Sequence, residues 1–218
     1  MKTVAWMGAA GVLLISAACL AGAPDISKLN GSISLEANEE AGDISDVNGE
    51  ISIGDHCTVK EVSSVNGSVD IGRNSKAASL STVNGELQIG GGSHVSGDAR
   101  TVNGEVTLES AADISGRVAS VNGAIHLTAA HIGRGIETVW GDIDVGKDSR
   151  VDGGIVVRQP KGFYSSSPNR PPVIVVGPGA TVTGTMTFEH EVKLYVSDHA
   201  KIGAVKGAQA TIYSGDRP

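Results

Sequence analysis

The chain reads as an all-β protein, a β-solenoid (a parallel β-helix, taken as right-handed) of 18–19-residue coils. Three observations predict it. The heptapeptide V-N-G-x-φ-x-φ, with φ aliphatic, recurs at 47–53, 65–71, 83–89, 102–108 and 121–127. A fixed period near twenty residues is the mark of a solenoid. Gly, Asn, Ser, Thr, Val and Ile dominate, and Leu, Ala, Glu and Lys fill no long window, which disfavours helix. Finally, a six-residue rhythm runs inside the longer one, through Val47, Ile53, Val59, Val65, Ile71, Ala77, Val83, Ile89 and Val95. Three six-residue sides make one triangular coil.

Each part of the repeat has a physical reason. Ile51-x-Ile53 and Val69-x-Ile71 alternate with period two, as strands do. Asn-Gly before them is a turn signal, because Gly accepts φ > 0 and Asn tolerates it. A further aliphatic in the last side of each coil (Ile44, Val62, Leu80, Ala99, Val118, Ile136) fills the interior. A single coil buries too few side chains to offset the entropy of ordering its backbone. Coils must therefore stack, at about 4.8 Å each, and seven make a rod about 30 Å long. In a stack, equivalent residues lie above one another. The column Asn30, Asn48, Asn66, Asn84, Asn103 and Asn122 is read as a buried ladder of side-chain amides that fixes register. Trp140 stands next in that column, where it either covers the core at the end of the coils or serves as a partner contact.

Along the chain, residues 1–21 read as a removed signal peptide, with Lys2 as its charged start and Val4 to Ile15 as its apolar part. Two processing readings stand side by side, with a retained helical anchor as a third. Cleavage after Ala21 leaves a soluble exported chain, whereas Ser16-Ala17-Ala18-Cys19, similar to a lipobox, makes Cys19 a lipidated N-terminus. No internal disulfide can form after either, and Cys57 is expected as a small filler inside its coil, in a column with Ser63, Ser75, Ser81 and Ser93. Residues 25–157 hold the regular repeats, 158–172 form a Pro/Ser-rich loop, and 173–214 hold divergent coils that continue or cap the rod. Phe163 and Tyr164 lie in the loop, beside Arg158 and Lys161, and with Trp140 are the expected partner contacts.

Composition bounds the function. A net charge of −7 argues against nucleic acid and against adsorption to anionic lipid, so a membrane is reached only through a lipid anchor. There is no nucleophile elbow, zinc-protease helix motif, phosphate loop or dinucleotide fingerprint. His56, His94, His126, His131, His190 and His199 show no metal spacing, and Glu86 and Glu105, expected on adjacent coils, read as solvated carboxylates. Asp152 with Arg150 and Arg158 is the only crowd comparable to a glycan-cleaving site. The expectation is no cofactor, no metal and no enzyme.

The V-N-G-x-I-x-I repeat and the export signal resemble the bacterial adhesin-type β-solenoid repeat proteins of the cell envelope, over about residues 29–157. The corner from Gly177 to Gly184, G-x-x-A-x-V-x-G, is loosely similar to the bactofilins, which form filaments. The resemblance implies a non-enzymatic structural or adhesion-like protein of a bacterial envelope, exported to the periplasm or cell surface. Its partner would be an envelope protein or a glycan. The alternatives are a self-assembling scaffold joined through its rod ends and a glycan-processing β-helix enzyme.

Overall fold

The computed structural model describes residues 4–6, 22–160 and 170–218. Within them the chain is a β-solenoid of about ten coils of about 18 residues, all β and wholly parallel. Three sheets form its sides. The first runs from Asp25–Asn30 through Ile44–Asn48 and Glu61–Ser64 to Met186–Phe188 and Val205–Lys206. The second carries the φ-x-φ strands, from Ile33–Leu35 to Ala210–Tyr213, and the third a column of two-residue strands from Lys76–Ala77 to Lys201–Ile202. Residues 173–214 continue all three sheets to the C-terminal end of the solenoid. Of the segment read as a leader only Val4–Trp6 is described, a strand paired with Asp25–Ser27. Cys19, Phe163 and Tyr164 lie outside the described residues.

The core is a set of aliphatic columns. Ile44, Val62, Leu80, Ala99, Val118 and Ile136 stack inside the first sheet, each in register with the next or bonded to its neighbouring coil. Ile51, Val69, Leu87, Val106, Ile125 and Ile143 do so inside the second. Val95, Ile114, Ile132 and Val151 line the third. Cys57 is buried, in a column with Ser75 and Ser93. Ser75 Oγ donates to Gly54 O at 2.9 Å and accepts Cys57 N–H at 3.0 Å. Ser63 and Ser81, expected in that column, instead stand on the outer face of the first sheet.

The corner before the second sheet departs from expectation in three ways. The Val of V-N-G does not point inward: Val65 is 41% and Val83 39% exposed. The inward residue is the one before it, giving a buried polar column of Asp46, Ser64, Thr82, Thr101, Ser120 and Thr138. Thr82 and Thr101 donate to the carbonyls of Gly67 and Gly85, and Thr138 Oγ1 accepts Gly141 N–H, so these hydroxyls occupy backbone groups of the corner. The phase slip arises because the corner spends one residue turning, which moves the alternation from Val to its predecessor.

The Asn ladder is present but exposed, not buried. Each Nδ2 donates to the Oδ1 one coil earlier: Asn48 to Asn30 at 3.1 Å, Asn66 to Asn48 and Asn84 to Asn66 at 2.9 Å, Asn103 to Asn84 at 2.8 Å and Asn122 to Asn103 at 2.7 Å.

The glycine after Asn is required by contact and not by a positive φ. A Cβ on Gly67, Gly85, Gly104 or Gly123 would overlap the carbonyl oxygen of the preceding glycine of the column. Only Gly31, with no equivalent glycine beneath it, has φ of +94°. Left-handed residues occur instead at the next corner, between the second and third sheets. There Asn38, His56, Asn74, Gly92, Ala111, Ala129, Asp148 and Gly179 form a column with φ from 44° to 73°. Ala111 at φ 63° carries the steric cost of that conformation without a packing gain, since it is exposed.

These two corners respond oppositely to Gly/Ala exchange. Gly85→Ala should lower unfolding stability by about 1–3 kcal/mol or more, because the backbone must part to admit Cβ. Ala111→Gly should leave it unchanged or raise it by about 0.5–1 kcal/mol. Chemical denaturation of both variants checks this. A tolerated Gly85→Ala would show that the corner is not packed backbone on backbone.

Candidate functional site

The repeat places three polar constellations on different parts of the rod. The first lies where the chain leaves the solenoid. Four residues connect Thr138 to Ile143, but sixteen connect their register partners Val157 and Ile174. The extra length spans residues 158–172, read from sequence as a loop, and its described ends, 158–160 and 170–172, lie at the same corner as the Asn-Gly turns. Both its ends are tied to neighbouring coils. Arg158 Nε donates to Glu137 Oε1 at 2.8 Å, and Glu189 Oε2 accepts Gln159 N–H at 2.9 Å. Arg170 grips Asp142 with two donors, at 2.9 and 2.6 Å, while Val173 N–H donates to Asp142 at 2.8 Å. Burial opposes ionisation of Glu137, but Arg158 and Arg117 hold its carboxyl below the ordinary range. Burial likewise acts against Arg170 and the Val173 N–H at Asp142, and again the donors prevail.

Trp140 stands at this corner, half-buried. Its ring lies 4.9 Å from that of His190, tilted by 49°, and His190 Nε2 is 2.8 Å from Val139 O. Coils continue beyond it, so Trp140 does not cover the end of the core. Its N–H still donates to Val121 O at 2.8 Å, as the ladder residues' amides do, so the indole replaces the Asn side chain without breaking the backbone stack.

The second constellation was missed in the sequence. On the outer face of the third sheet, Lys76, His94, Asp113, His131 and Arg150 are register partners. Asp113 bridges the two histidines: Oδ2 lies 2.5 Å from His94 Nδ1, and Oδ1 contacts His131 Nδ1. His131 Nε2 lies 2.9 Å from Asp152 Oδ2, and Arg150 lies 2.5 Å from the other oxygen of Asp152. Asp152 and then Asp113 raise the His131 pKa, since both carboxylates favour the imidazolium. Burial pushes Asp113 up, but His131 and His94 bring it below its ordinary value. His131 and Arg150 lower Asp152. The signal was available as an 18–19-residue column, but it falls outside the V-N-G motif that drew attention.

On the second sheet, the outward column Ser34, Ser52, Asp70, Gln88, Thr107, His126, Asp144 is in register. His126 stands 3.9 Å from Asp144 and 3.7 Å from Glu105, and these carboxylates raise its pKa. Glu105 thus faces His126 and accepts from Thr107 Oγ1 at 3.1 Å. Among the described residues no group of three or more His, Cys, Asp or Glu side chains is placed to hold a metal ion.

The third constellation is a concavity of about 510 Å³ where the third sheet turns into the first, lined by small polar residues and by Arg100 and Arg134.

The paired histidines make stability depend on pH. His131 and His126 have folded pKa values above their ordinary 6.5, so their contribution is complete below about 6.5 and is lost as pH rises through the folded values. Asp113 and Asp152 lie below 3.8, so theirs is present above about 3.8 and is lost as pH falls through the folded values. The unfolding temperature should therefore fall from about pH 6 to about pH 8. His131→Gln should remove part of that slope, and the His126→Gln/His131→Gln pair most of it. An unchanged slope in the double variant would contradict the assignment.

In comparisons with known proteins, no family model, no curated protein and no solved structure matches the chain. The likeness to adhesin-type repeat proteins and bactofilins therefore rests on the V-N-G-x-I-x-I and G-x-x-A-x-V-x-G residues alone.

Proposed function

We propose that the protein is a non-enzymatic display scaffold of a bacterial cell envelope, a rigid solenoid that holds the 158–172 loop toward an envelope protein or glycan. The observation that supports this reading is the anchoring of the loop. Its two ends are held by Arg158 to Glu137 and Glu189, and by Arg170 to Asp142, on coils before and after the insertion. Exposed ion pairs add little stability, about 0–1 kcal/mol each. Their use here is geometric, since a paired guanidinium–carboxylate contact fixes direction as well as distance. Recognition segments are commonly loops set on a rigid frame. Phe163 and Tyr164 supply aromatic contacts, and Trp140 flanks the loop's exit. Export of the chain rests on the reading of residues 1–21 as a leader.

The test replaces 161–169 by a Gly/Ser linker of equal length and compares it with Trp140→Ala and the parent chain. Binding is measured to isolated peptidoglycan and to arrayed bacterial envelope proteins. The parent chain should bind one of them, and the linker variant should lose at least about tenfold in affinity with an unchanged unfolding midpoint. Equal binding by the linker variant, or no binding by the parent chain, would overturn this reading.

A further inference from the structure

The concavity between the third and first sheets lies on a different corner from the loop, and it has the makings of a ligand site of its own. Its floor is made of small side chains, because the corners Ser96-Gly97-Asp98 and Ser115-Gly116-Arg117 stack on one another. A Cβ on Gly116 would overlap the Gly97 carbonyl, so the trough cannot be filled without parting the coils. The long side chains that rim it differ in kind. At one end stands Glu61 and at the other Arg134, and neither side chain has an ion-pair or hydrogen-bond partner among the described residues. Between them Arg100 is paired to Asp98, whose other oxygen accepts Arg117 N–H at 2.8 Å, so that pair is neutral and occupied. The hydroxyls of Ser79, Ser81 and Ser115 also have no partner among the described residues.

Glu61 is in register with Ser79, and Arg117 with Gly135, so the trough crosses four coil steps along the rod axis, about 19 Å. Its backbone N–H and C=O groups are used by coil-to-coil bonds, such as Gly97 N to Ala78 O at 2.7 Å and Gly116 N to Gly97 O at 3.1 Å. An added peptide strand would find no edge there. The trough holds no aromatic or exposed aliphatic side chain to receive peptide side chains. What it offers is hydroxyls on three successive coils, Ser79 and Ser81 on the first, Ser96 (bonded to Ala77 O at 3.4 Å) on the second and Ser115 on the third, a step close to one pyranose ring of an extended oligosaccharide. It adds the Arg134 guanidinium, unpaired among the described residues, which suits a carboxylate.

We propose that this trough binds an acidic oligosaccharide along the rod axis, with Arg134 holding a uronate carboxylate and Ser79, Ser81 and Ser115 bonding sugar hydroxyls. Glu61 accepts hydroxyl donors at the far end. The site does not depend on the loop.

The experiment is isothermal titration of the full chain with a panel of uronate tetramers (galacturonate, mannuronate, guluronate and glucuronate) and their methyl esters. At least one free acid should bind, and its ester should bind at least about tenfold more weakly, since the charge-assisted bond is lost. Arg134→Gln should lose a similar factor. Because Arg134 is exposed and its side chain has no hydrogen-bond or ion-pair partner among the described residues, the variant's unfolding midpoint should stay that of the parent chain. Arg217→Gln, which removes the same charge elsewhere, should bind normally, as should the chain with 161–169 replaced. Binding of none of the acids, equal binding of acid and ester, or retention of affinity in Arg134→Gln would overturn the proposal.

Discussion

The structure depends on how closely one coil can lie on the next. At the V-N-G corner the backbone of each glycine rests on the carbonyl of the glycine below, with no room for Cβ. That approach lets the corner continue the parallel hydrogen bonding of the flanking sheets. Asn66, Asn84, Asn103 and Asn122 N–H donate to Val47, Val65, Val83 and Val102 O at 2.8 to 2.9 Å. A turn is ordinarily where a sheet's bonds stop, and here it is a fourth ladder. The exposed Asn amides then form a fifth, outside it, and the hydroxyls of Thr82 and Thr101 occupy carbonyls on the inside. The core needs only aliphatic side chains of moderate size, because backbone contact, and not large rings, sets the coil spacing.

Much of this was legible from one repeated heptapeptide. Period, strand positions and the inward residues of the second sheet follow from it, as does the Asn ladder. What escaped did so for identifiable reasons. Val65 and Val83 fit a six-residue apolar rhythm, yet a one-residue phase change at the corner turns them outward and brings Ser64 and Thr82 in. Asn-Gly suggested positive φ, but such conformations gather at the other corner, on residues as unlike as His56, Ala111 and Asp148. Six of the eight residues there are Asn, His, Asp or Gly, the types that adopt this conformation most readily, but they lie outside the V-N-G motif. The His94–Asp113–His131 chain lies in a column with no constant residue, so only the period, applied outside the motif, could have assembled it.

The same geometry sorts the outer surface into separate faces. Register carries a side chain to within bonding distance of its equivalents 18 or 19 residues away, so like columns become like surfaces. The second sheet shows mostly polar and acidic groups, and the third a carboxylate–histidine row. The corner between third and first is a hydroxyl-floored trough, and the corner between first and second carries the ladder and then the loop. Each face is built from a different third of every coil.

The central claim is that the Asn-Gly corner is a backbone ladder in its own right, and residue-resolved hydrogen exchange tests it most directly. The amides of Asn66, Asn84, Asn103, Asn122 and Trp140 should be protected to the same extent as those of Leu87, Val106 and Ile125 in the adjoining strands, opening only with the whole stack. Corner amides that exchange as fast as an unfolded chain while the strands stay protected would contradict it, leaving those residues as ordinary solvent-exposed turns.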